Sequence, residues 1–72
     1  MNAEIITIGD ELLIGQVVNT NASWMATQLN LSGFNVTRIT TVSDTKEEII
    51  NILEEASSRS KMILITGGYQ KI

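Results

Sequence analysis

Residues 7–21 read T-I-G-D-E-L-L-I-G-Q-V-V-N-T-N. An apolar run stops at Gly9, two acids follow at once, and apolar residues resume before an Asn-Thr-Asn. Upstream, Glu4 to Ile8 (E-I-I-T-I) has the β-branched richness of a short strand, which Gly9 ends. Asp10 and Glu11 therefore stand at the mouth of a buried strand. Residues 10 to 20 fit either a helical turn or a packed loop.

Downstream the pattern alternates. A helix is predicted from about Asn21, a good N-cap type, with Ala22, Met25, Ala26 and Leu29 on one apolar face. Ser32-Gly33 stops it, Gly33 suiting the left-handed position after a helix. Phe34 to Thr41 reads as a second strand near a sheet edge, apolar at Phe34, Val36 and, less cleanly, Ile39. Asp44-Thr45-Lys46-Glu47 has capping-box spacing with Asp44 as the cap. In the helix that follows, Ile49, Ile52, Leu53 and Ala56 face the core and Glu47, Glu48, Glu54 and Glu55 face water. Ser57 to Lys61 is a polar link. Met62 to Ile65 is a continuous apolar run, predicted as a third strand buried on both sheet faces. The order β-α-β-α-β implies a parallel three-stranded sheet with helical crossovers.

Composition narrows the chemistry. Seventy-two residues make one small domain at most, and with no cysteine no disulfide can support it. Hydrophobic residues at 43% mark a globular chain. No apolar run approaches about 20 residues, the length a membrane-spanning helix needs. The first residues carry no basic leader, so a cytoplasmic location is expected. The net charge of −3, with five scattered cations, argues against nucleic-acid binding. Without His or Cys, no Ser-His-Asp triad or conventional zinc site exists within these residues; a metal would need oxygen ligands, and Mg²⁺ suits them.

In parallel α/β sheets, ligands sit beyond the carboxyl ends of the strands. Gly9-Asp10-Glu11, Ser43-Asp44 and Thr66-Gly67-Gly68 all fall there. Glycines admit phosphate oxygens close to backbone N–H groups, carboxylates hold Mg²⁺, and asparagine amides read sugar hydroxyls or a base edge. Each feature also has a plainer explanation. Asp10 and Glu11 could solvate a loop, Asp44 could only cap a helix, and Asn19 and Asn21 could be a turn and a cap. Gly67-Gly68 alone is a generic turn, and Trp24 fits partial core or an interface better than a stacking platform.

As a set, the words are more specific. G-D-E-L…G…N-T-N, an amphipathic helix, V-S-D and I-L-I-T-G-G closely resemble the opening of the CinA (competence/damage-inducible protein A) family over residues 3–68. The resemblance implies a three-layer α/β molybdopterin-binding-like fold, shared with the MogA and MoaB adenylyltransferases, of which residues 1–68 form the opening half. It implies binding of a nucleotide or pterin pyrophosphate, hydrolysis of ADP-ribose dependent on Mg²⁺ or another divalent metal, and an oligomer or completing segment. It assigns ligand binding to Gly9, Asp10, Glu11, Asn19, Asn21, Gly67 and Gly68, metal to Asp10 and Asp44, and a catalytic role to Asp44. A molybdopterin-type activity and a non-catalytic assembly module are the alternatives. The family word T-G-G-x-G-P-T-x-x-D breaks off after Gly68, so Tyr69-Gln70-Lys71-Ile72 is a divergent tail and the domain is expected to be truncated.

Overall fold

The computed structural model describes residues 1–10 and 20–67, with only the backbone of residues 20 and 21. Strand β1 (Asn2–Ile8) leads to helix α1 (Thr20–Leu31), strand β2 (Asn35–Val42), helix α2 (Lys46–Ser57) and strand β3 (Met62–Gly67). The sheet is parallel, in the order β2-β1-β3. The first strand in sequence is thus the central one, and it starts two residues earlier than the sequence pattern indicates.

This order corrects the expectation for the third strand. The strand buried on both faces is β1, where Ala3 to Thr7 are all buried. Met62 to Leu64 are only half-buried, and Ile65 is 49% exposed. An unbroken apolar run records how much oil a strand carries, not which neighbours cover it.

Residues of β1 alternate between two cores. Ile6 joins Val42, Ile52 and Ala56, with Ile8, Ile49, Leu53 and Ile63 packed around them, so α2 covers this face. Glu47, Glu48, Glu54 and Glu55 lie on its wet side as the periodicity indicates. On the opposite face, α1 packs over β2 and β1 and buries Ala22, with Met25, Ala26 and Leu29 half-buried beside it.

The imperfect alternation of β2 has a physical cause. Ala3 pairs with Val36 and Glu4 with Arg38, so Thr37 is an extra residue in the ladder. Such a bulge shifts the two-residue phase by one. Val36 and Ile39, three apart, consequently pair with Ala3 and Ile5 on one face of β1.

The helix ends show how the chain turns. After α1, Phe34 N–H bonds to the Leu29 carbonyl at 3.0 Å and Gly33 takes φ +95°, a value glycine adopts without a Cβ penalty. Asn21 lies inside the first turn of α1 instead of capping it. The cap of α2 is Thr45, not Asp44: Thr45 is extended, and its Oγ1 accepts the Glu48 N–H at 3.4 Å. A hydroxyl one residue nearer the helix reaches the same orphan donors, so the capping spacing falls on Thr45-x-x-Glu48. Ser57 belongs to α2, and the connection to β3 begins after it.

That connection is anchored by a buried carboxylate. Glu4 is 1% exposed. Its Oε2 accepts from Arg59 Nε at 2.8 Å and Ser60 Oγ at 2.5 Å, and its Oε1 accepts from Arg59 Nη2 at 2.9 Å. Arg59 Nη1 also reaches Glu55 at 3.0 Å. The Arg59 guanidinium outweighs the cost of burial and holds the Glu4 carboxyl below its ordinary range. This bidentate pair ties the α2–β3 connection to the central strand.

Candidate site at the carboxyl ends of the strands

The three strands end at one level. Ile8 pairs with Val42 on one side and with Gly67 on the other. The Gly9 N–H continues the ladder to the Val42 carbonyl at 3.0 Å. Gly9 is buried where the chain leaves the sheet, and Asp10 is exposed immediately beyond it. Asp44 is exposed two residues past Val42, on the neighbouring strand end. Gly67 is the exposed last residue of β3. Asp10, Asp44 and Gly67 thus share one rim of the sheet. Asn21 lies in the first turn of α1. Glu11, Asn19 and Gly68 lie outside the described residues, as does the divergent tail.

Asp44 is not engaged in capping. Thr45 supplies the cap, the Thr45 N–H bonds the Ser43 carbonyl at 2.9 Å, and Ser43 Oγ meets Thr45 Oγ1 at 3.3 Å. Among the described residues no side chain pairs with the Asp44 carboxylate, and none pairs with that of Asp10. Within that set both carboxylates leave their oxygen lone pairs unused. Two carboxylates fall short of a protein cage, and no group of three acids positioned for a metal occurs among the described residues. Magnesium characteristically takes one or two carboxylates and completes its shell with water and substrate phosphate. The donor set at this rim fits that habit.

The two helix starts at this end differ in charge. The first turn of α1 contains no acid. The first turn of α2 contains Glu47 and Glu48, close behind Asp44. An anion is favoured at a helix N-terminus free of competing carboxylates.

Two features escape the sequence reading. Thr7 and Thr41 face each other across β1 and β2, their hydroxyl oxygens 2.8 Å apart, one pair short of the strand ends. Thr45 is the second, hidden behind a more obvious acid. The spacing Thr45-x-x-Glu48 was there to find; the Thr7–Thr41 pair needs the register of the bulged strands. A pocket of about 350 Å³ also lies between Met1, Asn2, Arg59 and Lys61. It sits at the amino ends of β1 and β3, away from the rim, and the Arg59 guanidinium beside it is already bound to Glu4 and Glu55.

This architecture, a parallel α/β sheet with a helix on each face and glycines and carboxylates at the strand ends, is of the three-layer α/β class. The chain belongs to the family described as probable molybdopterin binding domain, whose model matches residues 4–69. It is 54% identical over 68 residues to a CinA-like protein of Chlorobium phaeovibrioides, covering 94% of this chain and 16% of that one. It is 47% identical over 66 residues to a CinA-like protein of Cytophaga hutchinsonii, covering 92% and 16%. The crystal structure of the protein CinA with unknown function from Thermoplasma acidophilum superposes with a TM-score of 0.89 at 36% identity, over 96% of this chain and 41% of that one. The CinA resemblance of the opening motif therefore extends to the fold. The chain spans about a sixth of the length of these CinA-like relatives. No helix among the described residues is long and apolar enough to cross a membrane.

Proposed function

We propose that the chain forms the opening half of a nucleotide-binding domain whose intact protein hydrolyses ADP-ribose to AMP and ribose 5-phosphate with a divalent metal. The observation that carries this reading is the common rim: Asp10 and Asp44 stand exposed beyond adjacent strand ends, without a side-chain partner among the described residues, with Gly67 level beside them. Asp10 and Asp44 would hold Mg²⁺, and bound metal would neutralise pyrophosphate charge and polarise a phosphoryl oxygen. The acid-free start of α1 supports placing the pyrophosphate there. Gly9 and Gly67 allow close backbone approach to the ligand, and Glu11, Asn19, Asn21 and Gly68 complete the set that the family motif supplies. Water is the second substrate; it breaks the P–O–P bridge, one phosphate leaving on each product.

The family's description favours a second reading, a site for the pyrophosphate of a molybdopterin. Both readings place a pyrophosphate on the same rim and differ in what lies beyond it. Incubating the intact protein with ADP-ribose and Mg²⁺, with and without molybdopterin, separates them. AMP release resisted by excess molybdopterin only weakly supports the nucleotide reading. Tight molybdopterin binding without AMP release supports the pterin reading. Neither binding nor turnover would leave a non-catalytic module, for which an assembly role is the natural assignment.

A further inference from the structure

We infer that the Thr7–Thr41 hydroxyl pair is a positioning device for the two acid-bearing strand ends. The two oxygens lie 2.8 Å apart, and Thr7 Oγ1 also reaches toward the Thr40 carbonyl at 3.5 Å. Thr7 is fully buried and Thr41 half-buried. Thr7 lies three residues before Asp10, and Thr41 three before Asp44. Beyond them the β1–β2 ladder has one more residue pair, Ile8 with Val42, and one closing bond, Gly9 N–H to the Val42 carbonyl.

β2 is an edge strand, and its bulge at Thr37 interrupts the register at the amino end. A ladder held from one side frays at its last bonds. A side-chain bond across the penultimate pair opposes that fraying at the place where two carboxylates must keep a fixed separation to share one cation. The same strand pair carries a second hydroxyl bond, Thr37 Oγ1 to the Ala3 carbonyl at 3.3 Å. It joins the same two strands with similar chemistry but at the far end from the rim. Thr37, exposed and at the far end, is the control for a general weakening of the β1–β2 pairing.

The functional consequence rests on the proposed metal-dependent site, so the test has two readouts. The first is hydrogen exchange at the Gly9 amide in the intact protein that carries this chain, which needs no activity. Thr7→Val and Thr41→Val are each expected to speed Gly9 exchange about tenfold by local opening, while Thr37→Val leaves it unchanged. Both singles break the same Thr7–Thr41 bond, so the double variant does little more than the worse single. Thr7→Ser, which keeps the hydroxyl, restores protection and guards against a variant that has lost its fold. The second readout is the Mg²⁺ concentration for half-maximal AMP release, expected to rise about tenfold in Thr7→Val and Thr41→Val and not in Thr37→Val, as misplaced carboxylates predict. Loosened Gly9 without ADP-ribose turnover in the parent protein supports the tether and rejects the assigned reaction. Gly9 exchange that is unchanged, or that rises equally in Thr37→Val, overturns the inference, as does a Mg²⁺ requirement unmoved by loosening.

Discussion

Glu4 is the residue on which local stability turns. A carboxylate in the middle of an apolar strand must be paired or pay several kcal/mol in lost hydration. Arg59 and Ser60 supply three bonds, and the carboxyl's protonation range drops below its ordinary 4.5. A carboxyl lowered on folding adds stability that is present above its unfolded value and disappears as pH falls through its folded one. Thermal midpoints of the parent chain should therefore fall as pH drops below about 4.5, and in Glu4→Gln that part of the slope should flatten. An identical pH slope in Glu4→Gln would remove the carboxylate from the account. At the same scale, the cap assignment separates Thr45 from Asp44. Thr45→Ala should cost about 1 kcal/mol in chemical denaturation, while Asp44→Asn should stay within about 0.5 kcal/mol. The opposite ranking would return the cap to Asp44.

Glu4 and Thr45 also mark where sequence reading runs out. That E-I-I-T-I is a strand follows from its side chains alone, but the partner of its acid lies 55 residues away and appears only when the α2–β3 connection folds back. Thr45 was masked because Asp44, a better cap by type, occupied the next position.

At the scale of elements, periodicity succeeds where one element's own residues decide the outcome. The core face of α2 and the glycine stop of α1 are of this kind. It fails where a neighbour decides. β1 is central because both crossovers return beside it, which no count within residues 2–8 reveals, and the phase of β2 depends on a bulge at Thr37. The carboxyl-end rim was legible because the β-α-β order and three short motifs fix which strand ends carry Asp10, Asp44 and Gly67. Packing of α2 can be checked directly. Ile52 is a core residue joined to Ile6, Val42 and Ala56. Ile52→Ala should destabilise the fold by about 2–4 kcal/mol, whereas Ile50→Ala, on the exposed side of the same helix, should cost well under half of that. Equal losses would mean that α2 docks by a different face.

For the whole molecule, several large apolar side chains stand uncovered among the described residues, among them Trp24, 64% exposed on α1, and Ile65, 49% exposed on the edge strand β3. Exposed edges and apolar side chains favour association. The isolated 72-residue chain should self-associate in sedimentation at tens of micromolar, and Ile65→Lys should shift it toward monomer. A sharp monomeric profile for the unsubstituted chain would show that this surface needs no cover. The Thermoplasma structure, of which this chain matches 41%, carries the fold within a longer polypeptide. The proposed chemistry is likewise assigned to the intact protein, because Asp10 and Asp44 would provide only part of a metal's shell.

AMP release from ADP-ribose by the intact protein across a Mg²⁺ titration, beside its Asp44→Asn variant, tests the assigned reaction. Mg²⁺-dependent release is expected in the parent and a loss of about a hundredfold or more in Asp44→Asn, with an unchanged melting profile. Release that is indifferent to Mg²⁺, or that survives Asp44→Asn intact, would contradict it.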